Sequence, residues 1–214
     1  MRRNLPGLIL LTIAIVTCSC ADPSANKNKA TVGAAQRESN SPKPAGTEAL
    51  AISPDNSKVE FVASKVTRSH NGSFKQFSGQ IELSPNNIPE GRVSIDIDTG
   101  SVVTDEPNLT AHLKTPDFFD VAKFPKATFV STKIEPAPAG SDNYNVTGNF
   151  DLHGVKKSIS FPATIKVTPE SAAVDAEFAI NRKDFAIVYA GKADDLIRDG
   201  VVIKLSLKVP RKKV

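Results

Sequence analysis

The chain has 214 residues, 40% hydrophobic and 23% charged, with 15 Pro, 12 Gly and only 2 Cys, which fits one domain plus a tail and excludes wholesale disorder or a collagen-like fibre. A net charge of +4, from 27 Lys+Arg against 23 Asp+Glu, is too slight and too evenly interleaved to mark a nucleic-acid surface. No apolar run reaches the ~18–20 residues that span a bilayer. Both cysteines, Cys18 and Cys20, precede residue 21, so the remaining chain has no internal disulfide and no thiolate metal site.

The chain opens with Arg2-Arg3 and an apolar stretch from Leu5 to Val16, followed by small residues. This is the layout of a secretory signal over residues 1–19. A cysteine in that position resembles the lipobox of bacterial lipoproteins, and Cys20, after Ser19, fits it better than Cys18, after Thr17. The resemblance implies an acylated Cys20 and a lipid-anchored protein outside the cytoplasm, in the periplasm or cell envelope. The alternative is a cleaved signal and a soluble secreted protein. Residues 20–50 carry Ser, Asn, Lys, Ala and Pro with no aromatic residue. They bury too little apolar area to offset their ordering entropy and read as a flexible tether.

From residue 51 to 214 the dominant signal is alternation, the mark of strands with one buried face. It runs through Val59-Phe61-Ala63, Gly79-Ile81-Leu83, Val93-Ile95-Ile97, Tyr144-Val146-Gly148-Phe150-Leu152, Ile159-Phe161-Ala163-Ile165, Val174-Ala176-Phe178-Ile180 and Val201-Ile203-Leu205-Leu207-Val209. Turn residues separate these runs, as in Ser84–Asn87 and His153-Gly154. The pattern predicts an all-β domain, an antiparallel barrel or sandwich of about eight strands. One short helical excursion is expected within Asp105–Phe124, capped by Asn108 or Thr110 and ended by Pro116.

Such a barrel is either filled by its own side chains or holds one small ligand. Phe and small residues on the inward face, with no Trp, lean towards a cavity; a dry packed core stays open. The chemical inventory is poor, with no nucleophile elbow, zinc-protease helix, phosphate loop or dinucleotide fingerprint. His70 and His153 read as turn residues, and His112 belongs to the helix near a barrel mouth. Asp194, Asp195 and Asp199 read as ion-pair partners of Lys192, Arg198 and Arg182 more readily than as a cation site.

The segments FKQFSGQI (74–81), HLKTPDFFDVAKFPKATFVSTKI (112–134), VTGNFDLHGVKKSISFP (146–162), INRKDFAI (180–187) and DDLIRDGVVIKLSLKV (194–209) closely resemble the YceI-like family. Its members are polyisoprenoid-binding, lipocalin-like β-barrel proteins. The resemblance covers about residues 51–211 and implies an antiparallel eight-stranded barrel holding a long apolar isoprenoid, such as a prenyl quinone, with no other cofactor and no metal. Phe74, Phe77 and Gly79 match its F-x-x-F-x-G pattern, and Phe118 and Phe119 its D-F-F-D block near the tunnel. Where many members carry a histidine at the end of the first strand, this chain has Lys65.

The expected lining is Phe61, Phe74, Phe77, Ile81, Ile95, Phe118, Phe119, Phe129, Phe150, Phe161, Phe178, Ile180 and Leu205. Burying some twenty methylene equivalents at ~0.8 kcal/mol each gives on the order of 16 kcal/mol gross. Ordering costs remove much of this, yet apolar burial alone suffices for binding. The leading reading is therefore a non-enzymatic lipid carrier, with an apolar ligand, the membrane and a second copy in a homodimer as candidate partners. Two alternatives stand beside it: a packed interaction module linked to envelope stress, and an enzyme with His112 or His153 at the mouth. A continuous tunnel of several hundred Å3 separates carrier from packed module.

Overall fold

The computed structural model describes residues 21–38, 46–84, 88–138 and 142–211. The expected export segment, with Cys18 and Cys20, lies outside the described residues. In chain order the strands are β1 (Thr31–Ala34), β2 (Glu48–Ile52), β3 (Ser57–Ser64), β4 (Ser69–Phe74), β5 (Phe77–Leu83), β6 (Arg92–Asp98) and β7 (Val102–Thr104). Helix α1 (Pro107–Leu113) follows, then β8 (Lys126–Pro136), β9 (Asn143–Leu152), β10 (Val155–Val167), β11 (Ser171–Asn181), β12 (Gly191–Lys192), β13 (Asp195–Leu196) and β14 (Gly200–Pro210).

Twelve strands form one antiparallel sheet in the order β2-β5-β6-β8-β9-β10-β11-β14-β3-β4-β7, with β1 added beside β10, while β12 and β13 make a separate ribbon. The path leaves β2 and returns to β3, its neighbour along the chain, so the sheet curls round an interior. The expected all-β architecture with a single α-helix is what the described residues adopt. The strand count is not: twelve strands stand in the sheet where eight were expected. Two causes are visible. Long stretches are broken, β2 from β3 at the 53–56 turn, β4 from β5 at Lys75-Gln76, and β6 from β7 by a 3-10 turn at Thr99–Ser101. That last turn is fixed by the Asp98 carboxylate, which accepts the Gly100 N–H at 2.8 Å.

The other cause is β1, which lies in the stretch expected to be a free tether. Residues 21–38 instead lie against the sheet. Thr31–Ala34 pair with Ser160–Lys157 of β10, and the N–H of Ala30 donates to the carbonyl of Ala179 at 2.8 Å. Ala30 and Val32 pack on the core, so two small apolar contacts and a ladder do what composition alone did not forecast. Helix α1 is also entered differently from expectation. Glu106 is its N-cap, accepting from the Asn108 N–H, with Pro107 in the first turn, where its missing donor costs nothing. Thr110 is occupied elsewhere, accepting the Thr104 N–H at 2.9 Å. The helix ends at Leu113, before Pro116.

Candidate functional site

The inward faces of the strands converge on three spaces in line. The first is an open mouth of about 430 Å3 between the end of β3, the start of β4, α1 and the segment 189–197. The second, about 100 Å3, lies below it; Phe61, Ala63, Leu113, Phe118 and Ile197 border both. The third, about 60 Å3, is deeper, with Phe74, Ile97, Phe150 and Ile203 as the shared partition. The interior is thus an interrupted series, neither one continuous tunnel nor a solid fill. Inward residues Val201, Ile203 and Leu205 keep partial exposure, whereas Val202 on the other face of the same strand is 1% exposed. Val201 and Ile203 border the second space and Ile203 and Leu205 the third, whereas Leu207 and Val209, farther along the same face, are buried.

Phenylalanines make the partitions. Phe61 and Phe74 approach to 5.8 Å between ring centres, and Phe74 and Phe119 to 5.7 Å. At the deep end Phe161 and Phe178 stack at 4.0 Å with an interplanar angle of 11°. Of the expected lining residues, Phe61 and Phe118 border the mouth and second space, Phe119 and Ile180 the second, Phe74 and Phe150 the second and third, and Ile95, Phe129, Phe161, Phe178 and Leu205 the third. Phe77 and Ile81 are buried but border none of these spaces. Cys20 falls outside the described residues.

The mouth is polar where the interior is not. His112 Nε2 lies 2.8 Å from Asp117 Oδ2, and its ring meets the faces or edges of Phe118 and Tyr189 at 4.9 and 5.1 Å. His70, read from sequence as a turn residue, lies instead in β4, buried, with Nδ1 2.9 Å from Asp105 Oδ1. Burial pushes Asp105 upward, but the hydrogen bonds from His70 and the Asn71 N–H outweigh it and hold the carboxyl below its usual range. Lys65 pairs with Asp195, whose carboxylate also accepts the Thr67 hydroxyl at 2.9 Å; the Lys65 bond is the main reason Asp195 is held low. Ser64 also borders the mouth, its Oγ buried with no hydrogen-bond partner. His153 sits in the β9–β10 turn with φ 54° against Phe124 and borders none of the spaces. No group of three His, Cys, Asp or Glu gathers as a metal site among the described residues.

One buried cation fixes the mouth segment. Arg182, 4% exposed, donates from Nη1 to the Ile187 carbonyl at 2.8 Å, from Nε to the Arg198 carbonyl at 3.2 Å and from Nη2 to Asp199 at 3.1 Å. Asp199 also meets Lys183 at 2.9 Å. Of the expected ion pairs Arg182 with Asp199 is present, whereas Asp195 is taken by Lys65 and Arg198 lies by Asp22, matches made only by folding. Sequence reading missed Ser64, Tyr189, Ile187 and Ile197. Tyr189 and Ile197 belong to a stretch without alternation, so periodicity could not flag them.

A model of the YceI-like domain matches residues 50–209. The chain belongs to the YceI-like family. Protein YceI of Salmonella arizonae is 34% identical over 122 residues, which span 54% of this chain and 62% of that protein's length. Among solved structures, BcnA of Burkholderia cenocepacia is similar with a TM-score of 0.66 and 30% identity, covering 73% of this chain and 98% of its own. A polyisoprenoid binding domain from Saccharophagus degradans has a TM-score of 0.60 at 19% identity, covering 77% and 100%, which establishes a shared fold.

Proposed function

We propose that this YceI-like protein binds an apolar lipid of the isoprenoid type in the curled sheet, without catalysis, on the outer side of the cytoplasmic membrane. The pairs β2–β3, β4–β5 and β6–β7 act as single bent staves, so that eight staves, with β1 added beside β10, surround the interior in a lipocalin-like barrel. The observation that carries the reading is the line of three spaces, polar at the mouth and bordered by Phe, Ile and Leu below. A volume of about 430 Å3 at the mouth lies within the range of small-molecule sites. It suits a ring or head group, with Ser64 Oγ, Tyr189 and His112 as polar neighbours. A chain enters the narrower spaces as Phe61 and Phe118, then Phe74 and Phe150, turn aside. Membership of a family whose fold is shared with a polyisoprenoid binding domain supports the same ligand class, and a prenyl quinone is the candidate we favour.

Acylation of Cys20 would hold the molecule at the envelope. Asp22 lies 3.9 Å from Arg198, beside Ile197 of the mouth, so such an anchor would keep the opening near the lipid surface. The test is native mass spectrometry, with lipid extraction, of protein purified without detergent and then exposed to a prenyl quinone. A retained or acquired isoprenoid mass is expected; protein that stays empty overturns the reading.

A second reading has one observation in its favour. The inner spaces are small and the Phe161–Phe178 stack is tight, as in a packed interaction module without ligand. The same experiment separates the two.

A further inference from the structure

Strand β10 pairs with β9 from Val155 to Thr164, but with β11 only from Thr164 to Val167. Beyond that short ladder the two strands part, while β11 continues to pair with β14 as far as Asn181. Pro162 lies in the gap between the last β10 residue paired with β1, Ser160, and the first paired with β11. It has no N–H to offer either neighbour. Residues 28–34 occupy the opening. On one side Thr31–Ala34 pair with β10; on the other, Ala30 N–H donates to Ala179 O and Ala179 N–H to Asn28 O, both at 2.8 Å. One strand between two others holds them apart by two ladder steps, roughly 9.5 Å.

The inserted segment completes the wall. Its outer footprint is visible in β11, where Phe178, Ala179 and Ile180 are all buried, although alternation would expose the middle one. Behind it stand Ile159, Phe161 and Phe178, which border the deepest space. Its fastenings are modest. Lys27 meets Glu177 of β11 at 3.1 Å and Lys156 of β10 meets Glu38 at 2.8 Å, both exposed pairs of the kind worth ~0–1 kcal/mol. Asn149, 1% exposed, grips more firmly, accepting the Gln36 N–H at 2.8 Å and donating to the Gln36 carbonyl at 2.7 Å, and the Thr132 hydroxyl donates to Gln36 Oε1 at 2.8 Å.

We propose that residues 28–34 form a removable stave, whose release opens a side slot between β10 and β11 leading to the deep apolar space. The slot resolves a geometric difficulty of the axial route, on which a chain must pass two phenylalanine partitions in turn. Its use by a ligand rests on the interior being a binding space; the removable stave itself does not.

The experiment locks the stave. In the full chain with Cys18→Ser and Cys20→Ser as background, Gly33→Cys and Ser158→Cys place a disulfide across a directly paired position, where a β-carbon on residue 33 meets open space. A control pair, Asp175→Cys with Ser206→Cys, locks β11 to β14 instead. Uptake of the uncharged fluorophore N-phenyl-1-naphthylamine is followed with and without reductant. We expect the oxidised lock to slow uptake by about tenfold or more, the effect of roughly 1.4 kcal/mol on a barrier, with recovery on reduction and no change in the control. Equal rates in oxidised and reduced forms overturn the side slot. If the fluorophore enters no form, the binding reading fails, and amide exchange decides the stave separately. Ala30 and Ala179 exchanging together, faster than the β11–β14 ladder and only when the lock is reduced, supports it; identical exchange in both forms overturns it.

Discussion

The ring of Phe61 lies directly over the backbone of Gly72: a β-carbon added at Gly72 would come within 2.1 Å of its Cζ. The two residues are paired partners on β3 and β4, so the contact is a property of register. Because Phe61 borders both the mouth and the second space, the glycine sets where the first partition stands. Gly72→Ala should push the ring inward, destabilise the fold by about 1–3 kcal/mol and reduce prenyl quinone uptake. A urea melt and a binding titration on the same sample check both parts; unchanged uptake with lowered stability would show that the ring moves elsewhere.

Phe74 and Phe150 divide the two inner spaces. Replacing Phe74 by Leu removes the ring contacts to Phe61 and Phe119, each worth about 0.5–1.5 kcal/mol beyond area. It also joins the spaces. The expected outcome is a lower denaturation midpoint together with tighter binding of longer prenyl chains relative to short ones, read from a chain-length series by native mass spectrometry.

Arg182 is the post on which the mouth segment hangs. Arg182→Met keeps the apolar stem but leaves the carbonyls of Ile187 and Arg198 without their side-chain donor, while Asp199 keeps Lys183. Leaving those carbonyl acceptors unpaired costs roughly 1–3 kcal/mol. Early proteolytic cleavage within 186–199, before global unfolding, is the expected sign. Simultaneous loss of the whole fold would show that the segment is not a separate unit.

The stave should loosen in acid. Glu38 is held below the ordinary carboxylate range first by the hydrogen bond from Lys156, with Asn149 and Arg92 assisting and burial opposing. A lowered folded value means that its contribution is complete above the unfolded glutamate range and is lost as pH falls through the folded value. Lys156 is raised, chiefly by the same bond, so its contribution is present below the ordinary lysine range and lost as pH rises past the raised value. At the other end Glu177 is lowered, mainly by Lys27 and further by Lys204. The Gln36 amide signal in an NMR titration should therefore hold steady through neutral pH and shift only in acid below the ordinary glutamate range. Added salt should shrink the change, since both pairs are exposed and screened.

Much of this architecture was legible because burial on one face imposes a period of two. β3, β5, β6, β9, β10, β11 and β14 all coincide with alternating runs. β4, Ser-His-Asn-Gly-Ser-Phe, has no such run, and its place follows only from pairing with β3 and β7. β1 escaped because Ala30 and Val32 are too few to stand out in a polar stretch. The aromatic residues of the interior could be named from their faces. Whether they fill it or leave room depends on ring orientation, which periodicity does not carry. The pairing of Lys65 with Asp195 joins residues 130 positions apart, beyond any local pattern.

Ser24 is buried where the chain meets β14: a β-carbon on Gly200 would come within 2.1 Å of its Oγ. That seat lies on the rim, ahead of every bond made by residues 28–38. Traction from anything attached upstream would thus strip the segment one contact at a time, Asp22 and Ser24 first, then Ala30, then Val32, as a zip runs from its open end. Arg198, which meets Asp22, and Gly200 are where such a pull would first be felt.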